Sequence, residues 1–271
     1  MATKPQIRVV RVGIGGWNFA PWRSNFYPAG LAQAKELGFA SRALTAIEIN
    51  STYYGTQKAS TFAKWRDETP DDFVFSVKAS QYATNRRVLA EAGESIARFS
   101  GSGIDQLGAK LGPIVWQFAT TKRFEAEDFE AFLALLPKEV GGIALRHAMD
   151  VRHASFMAAD YLALARRFKV ATVFTHADKY PSFADATGDF IYARLMQTDA
   201  AEPQGYPATE LERWAERARE WQAGRDPADL PRVELASPAA KPKPRDVFVF
   251  FISGAKERAP AAAMGLIERL R

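Results

Sequence analysis

Apolar residues recur along the chain in short runs, and within several of these they alternate with polar ones. Alternation at period two puts successive side chains on opposite faces of a strand. The run Leu44–Ile49, inside ALTAIEINSTYYG, predicts a strand with Ala46, Glu48 and Asn50 on one face and Ile47 and Ile49 on the other. In FVFSVK, Phe73, Phe75 and Val77 oppose Val74, Ser76 and Lys78. Further strands are predicted over Val9–Ile14, Pro113–Phe118, Gly142–His153 with its exit, Val170–Thr175, Phe190–Leu195 and Val247–Ile252. Between them, apolar spacings of three and four predict helices over Gly30–Arg42, Ala59–Glu68, Glu125–Leu136, Ser155–Phe168, Thr209–Gly224 and Ala261–Leu270. Ser80–Leu89 reads as a polar loop, followed by a broken helical region to Leu111. YPSFADATGD leaves little room for a sixth helix, and Pro227–Asp246, rich in proline and alanine, predicts an irregular excursion.

Strands alternating with helices in this way predict an α/β fold: a single TIM-type (β/α)8 barrel over residues 1–271, with an incomplete helix 6 and a long irregular segment before strand 8. A doubly wound open sheet is the competing architecture. It needs a glycine-rich phosphate loop after the first strand, and GIGGW lacks both the third glycine and the immediate helix.

Composition narrows the function. With 47% hydrophobic residues the chain has ample material for a large core. Its 36 basic and 31 acidic residues leave a formal charge of +5, scattered except at Lys241, Lys243 and Arg245. That excess permits an anionic ligand without demanding nucleic acid, which is not the expected partner. The absence of cysteine excludes disulfides, thiolate nucleophiles and cysteine-held metals. MATKPQIRVV carries no apolar signal core and no later apolar run reaches membrane-span length, so a cytoplasmic protein without a membrane partner is expected. Oligomeric state is not readable.

In such a barrel, function sits at the carboxyl ends of the strands. Inward or strand-end polar residues are Glu48, Asn50, Lys78, Gln117, Asp150, Arg152, His153, His176, Asp178 and Arg194. Lys78, Arg152 and Arg194 against Glu48 and Asp150 leave 3 − 2 = +1, suited to a carboxylate, a phosphate or a polyhydroxylated compound. Glu48, Lys78, Asp150 and His153 are the candidate catalytic groups. Trp17, Trp22, Asn50, Tyr54, Gln117, Arg152, His176 and Arg194 are the candidate substrate contacts. Lys78, among arginines and a low-dielectric wall, has two readings: a base or Schiff-base former, or a charged partner of Glu48 or Asp150. Glu48 and Asp150 are candidates for an acid/base pair. No cofactor is expected; a divalent metal on His153, His176 and the carboxylates is the alternative. His147 is expected to face the helices as a core residue. Ser51 and Thr52 lack a nucleophile-elbow pattern. The aromatic loop GGWNFAPWRSNFYP is expected to close over the mouth. The expected activity is an enzyme of acid/base type acting on a small polar, anionic or sugar-like substrate. The alternative is a non-catalytic binder of a small metabolite or nucleic acid.

GIGGWNFAPW, IEINSTYY, FVFSVKAS, LGPIVWQF, DVRHASF, DFIYARL and GAKERAP, in this order from about Val12 to Pro260, resemble the YecE-like family, domain of unknown function 72. The resemblance implies a TIM-type barrel and no established reaction. It also implies that Trp17, Trp22, Glu48, Asn50, Ser51, Thr52, Tyr54, Lys78, Gln117, Arg152, His153 and Arg194 occupy the family's motif positions. The chain departs from the pattern at three places. The family's Glu before Arg-His is Asp150; its Arg-Leu-His-Gly reads Arg194, Leu195, Met196, Gln197; its Phe-Asp/Asn-Asn reads Phe251, Ile252, Ser253. Two strand ends therefore lack a polar group, from which a different ligand or weaker chemistry is expected.

Overall fold

The computed structural model describes residues 9–234 and 242–271. Eight parallel strands close into a barrel: β1 (Val10–Gly15), β2 (Ala46–Ile49), β3 (Val74–Lys78), β4 (Leu111–Gln117), β5 (His147–Asp150), β6 (Ala171–His176), β7 (Phe190–Leu195) and β8 (Asp246–Phe251). Each pairs with its sequence neighbours, and β8 returns to β1 in the register Val10 to Val247 and Ile14 to Phe251.

Alternation divides the strands' side chains between two cores. Ile47, Ile49, Phe75, Val77, Ile114, Trp116 and Leu195 face outward, where α1 (Glu36–Ala43), α3 (Ala59–Asp67), α5 (Gly93–Ser100), α6 (Ala126–Leu135), α7 (Ala159–Arg167), α8 (Ala208–Gln222) and α9 (Ala259–Leu270) cover the barrel. Two one-turn helices, α2 (Ser51–Tyr54) and α4 (Gln81–Thr84), follow β2 and β3. Ala46, Val115, Ala148, Ala171, Val173, Tyr192, Phe248 and Phe250 fill the interior. His147 faces outward, its Nδ1 accepting from Trp116 Nε1 at 3.0 Å and its Nε2 donating to the Pro137 carbonyl at 2.8 Å. Desolvation by burial lowers its pKa, against that hydrogen bond.

Gly13 is placed where β1 and β2 approach too closely for a side chain. A Cβ there would sit 1.9 Å from the Ala46 carbonyl oxygen, a backbone atom that cannot swing aside. Gly13→Ala is therefore expected to cost about 2 kcal/mol or more in a urea denaturation midpoint.

The structure refines the predicted elements in three places. Gly141 and Gly142, at φ 54° and 77°, turn a small hairpin between Glu139–Val140 and Ile143–Ala144, so the fifth barrel strand starts only at His147. The predicted polar loop after β3 contains α4, begun by Ser80 Oγ accepting from Tyr82 N at 3.3 Å. No helix forms between β6 and β7. Instead the Asp185 carboxylate accepts from Val233 N at 2.8 Å and Glu234 N at 3.0 Å, while Ala184 N donates to the Pro231 carbonyl. Phe183, Leu230 and Val233 join the outer core, so two clipped loops cover the face a sixth helix normally covers. The described parts of the excursion before β8 carry no helix or strand; Lys241 lies outside the described residues.

Candidate functional site

The polar layer follows directly from strand parity. Glu48 on β2, Lys78 on β3, Gln117 on β4, Asp150 on β5 and Arg194 on β7 all occupy inward positions at the carboxyl ends. Arg194 is 2% exposed, and its fork bridges both buried carboxylates. Its Nη2 donates to Glu48 Oε1 at 2.9 Å, and Nη1 to Asp150 Oδ2 and to Gln117 Oε1 at 3.1 Å. Arg152 chelates Asp150 from above, with Nη2–Oδ2 2.9 Å and Nε–Oδ1 3.2 Å, and shares Gln117 Oε1 at 2.9 Å. The Arg152 guanidinium also lies 4.4 Å from the Tyr180 ring centroid. Tyr192, deeper in the barrel, donates its hydroxyl to Glu48 Oε2 at 2.7 Å and lies 2.8 Å from Ser76 Oγ.

Electrostatics follow from this pairing. Burial alone would raise the Asp150 pKa, but the charges of Arg152 and Arg194 more than offset it and hold the carboxyl below its ordinary value. Lys78 is treated differently. Its Nζ lies 4.0 Å from the Tyr53 ring centroid, and no hydrogen bond or ion pair reaches it among the described residues. Burial first and Arg194 second push its pKa down to about 8, against the pull of Glu48 and Asp150. The expected pairing of Lys78 with Glu48 or Asp150 is thus not formed. Arg194 presents two donors in one plane and satisfies both carboxylates at once, which a single ammonium cannot do.

Above this layer opens a cavity of about 770 Å³. Lys78, Arg152, Arg194 and Lys256 line it, and no aspartate or glutamate does. Trp17, Phe19, Trp65, Met196 and Ile252 give the wall an apolar part. Asn50, Ser51, Tyr54, Gln117, Tyr180 and Ser253 supply polar edges. Lys256 sits 4.5 Å over Phe19, and burial lowers its pKa. Ser253 adopts φ 68°, a left-handed conformation uncommon outside glycine and asparagine, beside Gly254 at the cavity rim.

Several candidates lie elsewhere. Glu48 and Asp150 are wholly buried under Arg194 and do not reach the cavity wall, so neither is placed as a substrate-contacting acid or base. Trp22 is buried within the aromatic loop, its Nε1 donating to the Lys256 carbonyl at 2.9 Å; it holds the loop instead of contacting the cavity. His153 caps a short turn, with Nδ1 accepting from Ser155 N at 3.1 Å. His176 points outward, since Ala171, Val173 and Thr175 take the inward positions of β6; its ring lies 5.0 Å from that of Trp214. Neither histidine meets the carboxylates, and among the described residues no set of three metal-ligating side chains comes together. Thr52 Oγ1 donates to the Lys78 carbonyl at 2.6 Å and so fixes the strand end. Asp178 accepts from Gln197 Nε2 at 2.6 Å, which directs Gln197 away from the cavity. Arg245 is tied to Asp226 at 2.6 Å near the start of β8, the opposite end from the mouth. Sequence reasoning missed Tyr192, Tyr53, Tyr180 and Lys256. Parity placed Tyr192 inward, one step below Arg194, and was the available signal.

No described helix is long and apolar enough to cross a membrane. Among curated proteins, the chain is 32% identical over 79 residues to UPF0759 protein YunF of Bacillus subtilis, covering 29% of this chain and 27% of that protein. It is 24% identical over 153 residues to UPF0759 protein YecE of Escherichia coli, covering 55% of this chain and 51% of that one. The matches thus span about half, or less, of those relatives' own lengths. Among solved structures, a DUF72 family protein from Thermotoga maritima superposes with a TM-score of 0.74 at 21% identity, covering 97% of this chain and 99% of that one. Another from Enterococcus faecalis gives 0.67 at 14% identity over 97% and 95%. The model described as "Protein of unknown function DUF72" matches residues 11–271, so the chain belongs to the DUF72 family.

Proposed function

We propose that the barrel mouth is the active site of an enzyme acting on a small organic anion, with Lys78 as the group that exchanges a proton with it. The observation that carries this reading is the cavity wall itself: four cationic side chains, no carboxylate, and an apolar part formed by Trp17, Met196 and Ile252. Glu48 and Asp150 balance Arg194 and Arg152, so the surplus positive charge at the wall is that of Lys78 and Lys256, and it favours anions. Arg152, held rigid by Asp150 and Gln117, presents its outer edge for a carboxylate or phosphate. Lys78 is free of competing acceptors and lies beside Arg194, and a base near neutrality matches proton transfer at physiological pH.

Thermal melting with pyruvate, citrate and inorganic phosphate, set against neutral sugars, tests it. The anions are expected to raise the melting temperature and the neutral sugars to leave it unchanged. Arg152→Gln should weaken the anion effect about tenfold in apparent affinity, in line with loss of a charged hydrogen bond. Equal stabilisation by neutral compounds, or none by any anion, overturns the reading.

A further inference from the structure

We propose that Lys78 is a covalent nucleophile, whose amine condenses with the carbonyl of a small anionic aldehyde or ketone held by Arg152 and Arg194. This deepens the anion-site reading and rests on it. Four features carry the inference. The Lys78 side chain is 6% exposed, lines the cavity, and has no hydrogen bond or ion pair on its Nζ among the described residues, so its lone pair is not committed elsewhere. The two carboxylates of the polar layer are taken by arginines, which leaves amines as the reactive groups in contact with a guest. Of the two amines in the wall Lys78, not Lys256, is the one beside Arg152 and Arg194. An iminium at the same place keeps a cation against the Tyr53 ring and above Glu48 and Asp150, so the charge formed on condensation is already accommodated. Finally, Met196 and Ile252 leave that side of the guest dry and unanchored, suiting a carbonyl compound with an acid group at one end and an apolar body.

The step balances as follows. The Nζ lone pair forms the C–N bond while the C=O π pair moves to oxygen, which takes a proton from solvent in the open cavity. The amine loses one proton to solvent. The carbinolamine hydroxyl then leaves as water with a second solvent proton, and the nitrogen lone pair closes the C=N bond to give a protonated imine. Net, an amine, a carbonyl and one proton yield an iminium and water. Burial and the neighbouring Arg194 support this, since with a pKa of about 8 roughly one Lys78 in ten is neutral at pH 7.

The test is reductive trapping on the full chain. Pyruvate or benzoylformate is added with sodium cyanoborohydride at pH 7, the hydride reducing any iminium to a stable secondary amine, and adducts are located by peptide mass mapping. Lys78 is expected to be labelled at least about tenfold faster than the exposed Lys35 and Lys58, because the arginines of the cavity hold the carbonyl compound beside it. Arg152→Gln should slow labelling at Lys78 several-fold and leave Lys35 and Lys58 unchanged. Labelling of Lys78 no faster than of those surface lysines, while the same anions still raise the melting temperature, overturns the covalent role and leaves the anion site standing. Slow labelling together with no thermal shift overturns both.

Discussion

Arg194→Met is expected to destabilise the protein by about 3–5 kcal/mol, the cost of leaving buried charge without its partner. Glu48 and Asp150 are both 0% exposed, and Arg194 is their common cation at the centre of the barrel. Removing it leaves Glu48 with only the Tyr192 hydroxyl, and Asp150 with Arg152 alone. The urea midpoint, followed by tryptophan fluorescence, reads the loss. Arg194→Lys should recover only part of it, because an ammonium cannot span the two carboxylates in one plane. Combining Arg194→Met with Glu48→Gln should restore much of the stability, since the neutral amide removes the orphaned charge. An Arg194→Met protein within 1 kcal/mol of the parent in the same midpoint rules out this network as a structural element.

Lys78→Met is expected to act in the opposite direction on stability while abolishing the proposed proton exchange and labelling at the mouth. Folding lowers the Lys78 pKa from 10.5 to about 8, so between those values the unfolded chain binds the proton and the folded one does not. Stability contributed by this group therefore rises with pH across that window. Below about pH 8 the folded state carries a desolvated ammonium at a constant cost of about 3 kcal/mol. Methionine removes that cost and keeps most of the volume. A gain of about 1–3 kcal/mol at pH 7 is expected, fading between about pH 8 and 10.5 and gone above that, where the parent lysine is neutral in both states. Denaturation midpoints of the two proteins at pH 7, 9 and about 10.5 check the sign. A variant less stable than the parent at pH 7, or a gain that grows with pH, contradicts the placement of an unpaired ammonium here. A stabilising change that removes function is the expected mark of a group kept for chemistry.

Period-two alternation was sufficient to read the barrel and its polar layer. It put Glu48, Lys78, Gln117, Asp150, Arg152 and Arg194 inward because each lies in or just beyond a strand whose other face is plainly apolar. It failed where the backbone stops alternating. Trp22 lies in a short 3-10 turn and His153 at a turn cap, where neighbouring residues do not predict direction. His176 lies within β6, and counting back to Thr175 gives its outward direction; its place at the predicted strand end, not its parity, suggested the mouth. The partners within the layer were not legible either. Composition lists three cations and two anions, but only geometry shows that one guanidinium takes both carboxylates and leaves the lysine alone. The missing sixth helix was half legible: YPSFADATGD left little room for a full helix, but nothing local announced that residues 231–234 would come back to cover the gap.

That return has a consequence for synthesis. The wall outside β6 is completed by a segment that lies beyond β7 and all of α8, so it cannot be finished as the chain emerges in order. The amino-terminal strands can assemble on their helices early, while β6 keeps an apolar flank wet until Glu234 has cleared the ribosome and docked on Asp185. A nascent chain halted between those points would carry the surface most in need of a chaperone.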